Sequence, residues 1–390
     1  MQADRPAGLD LSNWDRPPFN RWSYQHLAEI VPVAPIACAA TSLPLPEAPA
    51  QVALDQVNLP LPGNPTAARV LAGSWTDGLI ALHRGQVVCS HYENGLRPDT
   101  PHLTQSVSKS VVGAVAGVLH GAGDLDLNRG VAAYVPNFAG SAYATVTIRQ
   151  LLDMTSGVDF PEDAPDPASG IGLMDIAVGW KPAPPGTSAP RSLRTLIRSL
   201  RHQTRPHGAE FEYRSMETEV LGFCLEAAAS APLPQLVSDL IWQPMGAAHP
   251  ASFGLDPEGA TIADGALSAT LPDLARFGLI FAQEGAANGR QIVPADWVAQ
   301  TRQGDASRFP ARYRADRPNG AYRNQFWIED TARPVTLALG VYGQMIFIDP
   351  ARDFVGVKLS TWPMALNPAL RLQTQCLMHS LARACGPQAN

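Results

Sequence analysis

Two β-rich blocks at opposite ends of this chain constrain its fold more than any other feature. The first, TDGLIALHRGQVVCSHYENG (76–95), holds two runs that flank His83-Arg84-Gly85-Gln86, a pattern that predicts a hairpin. The second returns late: RNQFWIED (323–330), VTLALGVYG (335–343), MIFIDP (345–350) and DFVGVKLSTW (353–362) are separated by Pro, Gly and Asp turns and read as a meander of strands. Between and around these blocks the period becomes helical, with helices expected over 106–121, 191–202, 218–231, 233–245, 271–285 and 294–302, and a last one over 367–385. The order predicts an α+β fold: an antiparallel sheet built from both chain ends, flanked by helices, with a mostly helical part inserted between. The expected boundaries are 1–104 with 266–390 for the part holding the sheet and 105–265 for the helical part, the site lying in the cleft between them.

Proline clusters in the first 66 residues, in PEDAPDPASG (161–170) and in KPAPPGTSAP (181–190); these segments read as irregular, ordered where aromatics such as Trp14, Trp22 and Tyr24 can pack. Charged residues are 16% of the chain and the net charge is −6, with no basic stripe for a nucleic-acid backbone, so nucleic acid is not an expected partner. No basic start precedes a short apolar stretch, and no run approaches the length of a membrane span, so the expectation is a cytoplasmic protein without a membrane partner. The five cysteines are widely spaced and lack CxxC spacing, as expected of reduced thiols.

The chemistry is concentrated in LTQSVSKSVVGAVAGVLHGAG (103–123). Only three of the 29 basic residues are lysines, Lys109, Lys181 and Lys358, and Lys109 stands at the mouth of a long apolar run. Ser106 falls in the first turn of the predicted helix and Lys109 one turn on, on the same face. Unpaired N–H groups and the positive end of the dipole at such a start can receive an oxyanion. A serine hydroxyl needs a base to become a nucleophile, and a neutral amine one turn away can serve. Burial near the positive end is expected to lower the lysine's pKa, whereas an arginine would stay charged.

Ser106-Val-Ser-Lys109 before an apolar helix resembles the first motif of the serine β-lactamases and penicillin-binding proteins. Leu151-Leu152-Asp153-Met154-Thr155-Ser156-Gly157 is similar to the LLxHTSG segment of class C β-lactamases and family VIII carboxylesterases, with Met154 in place of the histidine, and Tyr213-Arg214-Ser215 looks like the second motif. Together with NRWSYQHLAEIVP (20–32), DPAS (166–169), VGW (178–180) and LSTWP (359–363), these segments resemble the 6-aminohexanoate-dimer hydrolases, or nylon-oligomer hydrolases, over nearly the whole chain.

The resemblance implies a β-lactamase-like fold and a serine hydrolase for small carboxylesters or short linear amides such as 6-aminohexanoate dimer, working through acyl-Ser106 with no metal or organic cofactor. It makes Ser106 the nucleophile, Lys109 its base and Tyr213 the proton relay, with the backbone N–H groups of Ser106 and Val341 as the oxyanion hole. Trp180 and Trp327 match aromatic positions that line the pocket, Ser215 completes the second motif, and Asp175 matches an aspartate that attracts the substrate's ammonium. Glu217 and Asp264 are further acids expected to face the cleft. Two departures stand out: the third β-lactamase motif is absent from LALGVYGQ (337–344), and Ala164 occupies the place of a tyrosine that assists the amide nitrogen. An acyltransferase or amide synthase, or a non-catalytic receptor for peptide-like ligands, are the alternatives on the same scaffold. The expected partner is a small-molecule ester or amide, and the reading allows a homodimer.

Overall fold

The N-terminal hairpin joins the C-terminal meander edge to edge. In the computed structural model, which describes residues 4–162, 168–186 and 189–386, strands β1 (Val33–Ile36), β2 (Thr76–His83), β3 (Gln86–Tyr92) and β4 (Pro101–Leu103) precede the helical region. Strands β5 (Ala251–Gly254), β6 (Leu267–Thr270), β7 (Ala321–Arg323), β8 (Phe326–Ile328), β9 (Thr336–Gly340), β10 (Gln344–Asp349) and β11 (Phe354–Ser360) follow. A seven-stranded antiparallel sheet runs in the order β3-β2-β11-β10-β9-β8-β7, so β2 near the start of the chain pairs with β11 near its end, Ile80 opposite Val357. The hairpin turn places Arg84 and Gly85 at φ of 51° and 73°, a two-residue turn whose twist suits the strands it joins.

Side-chain alternation gives the sheet two buried faces. Ile80, Leu82, Val355, Val357, Ile346 and Ile348 share one core with helices α1 (Val107–Ala122) and α5 (Leu271–Ala282). Leu79, Ala81, Phe354, Phe347 and Leu337 share the other with Leu377, Met378 and Leu381 of the terminal helix α6 (Pro368–Ala384). The remaining helices needed below are α2 (Ile148–Leu152), α3 (Gly170–Ala177) and α4 (Ser215–Ala229); α4 packs against both α1 and α2. Among the described residues no single helix is long and apolar enough to cross a membrane.

The structure departs from the sequence expectations in three places. The run 323–330 is not one strand: Asn324 and Gln325 take φ of 51° and 68°, and their buried side chains bond Thr301 and the Leu151 carbonyl, so the chain turns there and β7 and β8 form a hairpin. A second, four-stranded sheet, β1-β5-β6-β4, comes partly from the proline-rich N-terminal region, and its strand β5 lies inside the stretch expected to be mostly helical. The helix expected over 233–245 is a short α-helix, Leu233–Val237, continued by a π-turn, Ser238–Trp242.

Candidate active site

Helix α1 is buried almost from its first residue, Val107 through Gly117, because the run behind Lys109 is small and apolar. Ser106 is its N-cap and remains half-exposed, while Lys109, one turn in, is 1% exposed. A lysine that deep must be fully partnered. Its Nζ lies 2.8 Å from Ser106 Oγ, 3.1 Å from Ser215 Oγ, 3.0 Å from the Asp264 carbonyl oxygen and 3.0 Å from Asp264 Oδ2. Its three hydrogens therefore face four acceptors.

This environment runs against the expectation that burial lowers the Lys109 pKa. Burial pulls its pKa down, as expected, but the opposing charges of Asp264, of Tyr213 when ionised and of Glu162 together outweigh burial and hold it above the ordinary value. The 3.0 Å contact between its Nζ and Asp264 Oδ2 has the geometry of an ion pair.

Tyr213 stands just before α4, with its ring centroid 5.2 Å from Lys109 Nζ. Burial raises its pKa, and the Lys109 charge together with hydrogen bonding to Ser106 and Lys109 works against that rise. The segment leading to it is braced by the LLDMTSG loop: Gly208 N–H donates to the Thr155 carbonyl and Glu212 N–H to the Met154 carbonyl, at 2.7 and 2.9 Å. Trp327 stacks on the Tyr213 ring at 5.4 Å and 21°, and the Arg317 guanidinium covers the ring of Trp327 at 4.7 Å. Trp327 is thus the wall behind the phenol.

The far side of Ser106 is formed by the end of β9. The Gly340 backbone lies against Thr104 and Gln105 so closely that a Cβ there would fall 2.5 Å from the Thr104 carbonyl oxygen. Gln105, at a φ of 50°, donates through Nε2 to the Tyr24 hydroxyl at 2.8 Å, and Tyr24 meets Tyr342 edge to face. Among the described residues, no carbonyl or side chain accepts from the N–H of Ser106 or of Val341. Both expected oxyanion donors are thus unspent, and the Gly340 contact brings the residue before Val341 against the two residues before Ser106.

The remaining expected residues fall in different surroundings. Trp180 is half-buried; its carbonyl accepts from Trp14 Nε1 at 2.9 Å, its ring meets Trp14 edge to face, and its far edge reaches toward Gly265 beside Asp264. Asp175, on α3, has its pKa pushed up to about 7, first by burial and then by the charges of Asp15 and Asp264, against the pull of Lys181 and Arg16. Ala164 lies outside the described residues.

Glu217 is a correction. It does not face the cleft: it is fully buried, accepts from Ser156 Oγ and lies 3.7 Å from Arg214. At 100° per residue Glu217 lies on the opposite side of α4 from Ser215, whereas Glu219 shares Ser215's side. Burial above all pushes the Glu217 pKa up to about 8.

Two acids at the site were not anticipated. Glu162 accepts from Ser215 N–H and, at 3.4 Å, from Ser215 Oγ, and burial raises it to about 7 against the pull of Lys109. Glu219 accepts from the N–H groups of Ala263 and Asp264 at 3.0 and 2.9 Å. For Glu219 a signal was present in Ser215-Met-Glu-Thr-Glu219, an acid one turn beyond the second motif; for Glu162, inside a proline-rich segment, there was none.

A sequence model of the Beta-lactamase family matches residues 70–370. The chain is 33% identical over 365 residues to the 6-aminohexanoate-dimer hydrolase of Paenarthrobacter ureafaciens, covering 90% of this chain and 88% of that one. In structure it resembles a Bacillus anthracis protein provisionally assigned as a 6-aminohexanoate-dimer hydrolase, with a TM-score of 0.88, 24% identity and 98% of each chain covered. It also resembles a family VIII carboxylesterase, with a TM-score of 0.60, 17% identity, and 82% of this chain and 95% of that one covered. At these identities the structural likenesses speak for a shared β-lactamase-like fold.

Proposed function

This chain belongs to the Beta-lactamase family of serine hydrolases, and from that premise we propose that it cleaves small carboxylesters and short linear amides through an acyl-Ser106 intermediate. The observation that carries the reading is the 2.8 Å contact between Ser106 Oγ and Lys109 Nζ at the start of a buried helix. In the reaction Lys109 first gives up a proton to solvent, and Ser106 Oγ then attacks the carbonyl carbon while its own proton passes to the Lys109–Tyr213 pair. The tetrahedral oxyanion lies between the N–H groups of Ser106 and Val341. Collapse breaks the bond to the alcohol or amine, which leaves with a proton relayed through Tyr213, and water then releases the acyl group by the same route in reverse.

The relative's name suggests 6-aminohexanoate dimer as the specific amide. Its free ammonium suits a cleft in which Asp175 and Asp264 are close enough to repel one another and in which Lys109 is already neutralised. Turnover of p-nitrophenyl esters, nitrocefin and 6-aminohexanoate dimer by the purified protein tests the assignment. Ester and dimer cleavage that disappears in Ser106→Ala is expected; activity confined to nitrocefin would overturn the substrate class.

A further inference from the structure

The groups that face Lys109 come from every element around it. Ser106 belongs to its own helix, Tyr213 and Ser215 to the start of α4, Asp264 to the loop before β6, and Glu162 reaches the site through Ser215. Asp175 adds a more distant negative charge beside Asp264. Asp264 alone supplies two of the four acceptor atoms on the ammonium, one from its carboxylate and one from its backbone.

What holds Asp264 there is Glu219. This residue is 1% exposed, sits one turn beyond Ser215 on α4, and grips the loop with both oxygens, Oε2 on Ala263 N–H and Oε1 on Asp264 N–H. Its carboxyl is also hydrogen-bonded to that of Asp264. Two carboxylates in contact cannot both be ionised inside a protein. Burial, and then the charge of Asp264, push the Glu219 carboxyl well above the usual carboxylate range, which favours its protonated form. The Asp264 carboxyl, braced from behind by Glu219, stands opposite Lys109. Through Ser215 and Glu219, α4 holds both a partner of the lysine and the clamp on its counter-ion.

We propose that Glu219 is a positioning residue which clamps Ala263–Asp264 and so fixes the counter-charge that stands opposite Lys109 in the resting enzyme. The inference rests on the reading of Lys109 as the base of an acyl-serine hydrolase. It makes the Glu219–Asp264 pair the element that sets the pH at which the enzyme switches on. Without that counter-charge, burial dominates and the lysine sheds its proton at lower pH.

The test is the pH profile of kcat/KM for p-nitrophenyl acetate in the wild type, Asp264→Asn, Glu219→Ala and Glu219→Gln. Asp264→Asn should move the acid limb to lower pH by about 1–3 units, the usual influence of one adjacent charge. Glu219→Ala frees the Asp264 loop and should move the limb in the same direction. Glu219→Gln keeps one of the two acceptors on the loop, and should move the limb less than Glu219→Ala does. A Glu219→Ala enzyme with lowered thermal stability and an unmoved limb would reduce Glu219 to a structural role and overturn the proposal. Should that variant not fold, an unmoved limb in Asp264→Asn overturns it equally. A wild-type enzyme that forms no acyl-Ser106 defeats the mechanism itself, whereas one that does, with an unmoved limb in Asp264→Asn, defeats only this inference.

Discussion

Gly340→Ala probes the oxyanion site without touching any side chain that takes part in proton transfer. The added methyl would sit 2.5 Å from the Thr104 carbonyl oxygen, 3.0 Å from the Gln344 Cβ and 3.1 Å from the Gln105 Cβ. Ordinary contact begins at 3.4 Å, so relieving the 2.5 Å contact with Thr104 takes about 0.9 Å of movement between the end of β9 and the start of α1. That movement falls on both proposed oxyanion donors, since Val341 follows Gly340 and Thr104 lies two residues before Ser106. A hydrogen bond lengthened by that much is no longer one, and the loss of one oxyanion donor costs about 10²–10³ in kcat, or about 3–4 kcal/mol. The interaction is made mainly in the transition state, so kcat should fall far more than KM changes. Overpacking should also cost about 1–3 kcal/mol of stability, which thermal unfolding reads separately. The assay is the acylation burst with p-nitrophenyl acetate on variant protein shown to be folded. A folded Gly340→Ala enzyme with kcat within about twofold of wild type would refute the placement of the oxyanion hole between Ser106 and Val341.

Three further outcomes follow from the site and its surroundings. Lys109→Arg should lose ester hydrolysis nearly as completely as Ser106→Ala, because guanidinium stays charged; turnover near the wild-type rate would remove Lys109 as base. Asp175→Asn should raise KM for 6-aminohexanoate dimer by about five- to tenfold, with little change for an uncharged ester of similar size; an equal effect on both would mean that the carboxylate does not bind the ammonium. Lys358, fully buried on β11, has its pKa lowered to about 7, chiefly by burial. The unfolded chain thus holds that proton more tightly, and the penalty is complete below about pH 7 and relieved as pH rises toward 10.5. Lys358→Met should therefore raise the unfolding temperature most at pH 6 and least at pH 10; a gain that did not shrink with pH would contradict the sign.

The sheet was legible because its strands alternate or run apolar between turn residues, and because hairpin and meander occupy opposite ends of the chain. Strand β1 was not legible: it is an edge strand containing Pro35, which looks like a break until its neighbour Ala251–Gly254 is in place. The turn at Asn324–Gln325 was hidden inside a β-rich run, because what bends the chain is the burial of two polar side chains against α2 and its surroundings. That Ser106, Lys109 and Tyr213 lie together could be read from spacing and resemblance, since two lie within one helical turn. The surroundings of Lys109 could not, because Asp264 and Glu162, and Glu219 behind Asp264, are distant in sequence and come together only on folding. Glu217 was misplaced for the converse reason: nearness to the motif in sequence put it on the wrong side of a helix.

The most direct test of the central claim is intact-protein and peptide mass spectrometry after rapid acid quench of the enzyme turning over a p-nitrophenyl ester. The mechanism requires an added acyl mass, confined to the peptide that carries Ser106 and missing from Ser106→Ala. Steady turnover with no acyl mass on that peptide, or undiminished turnover by Ser106→Ala, would contradict it.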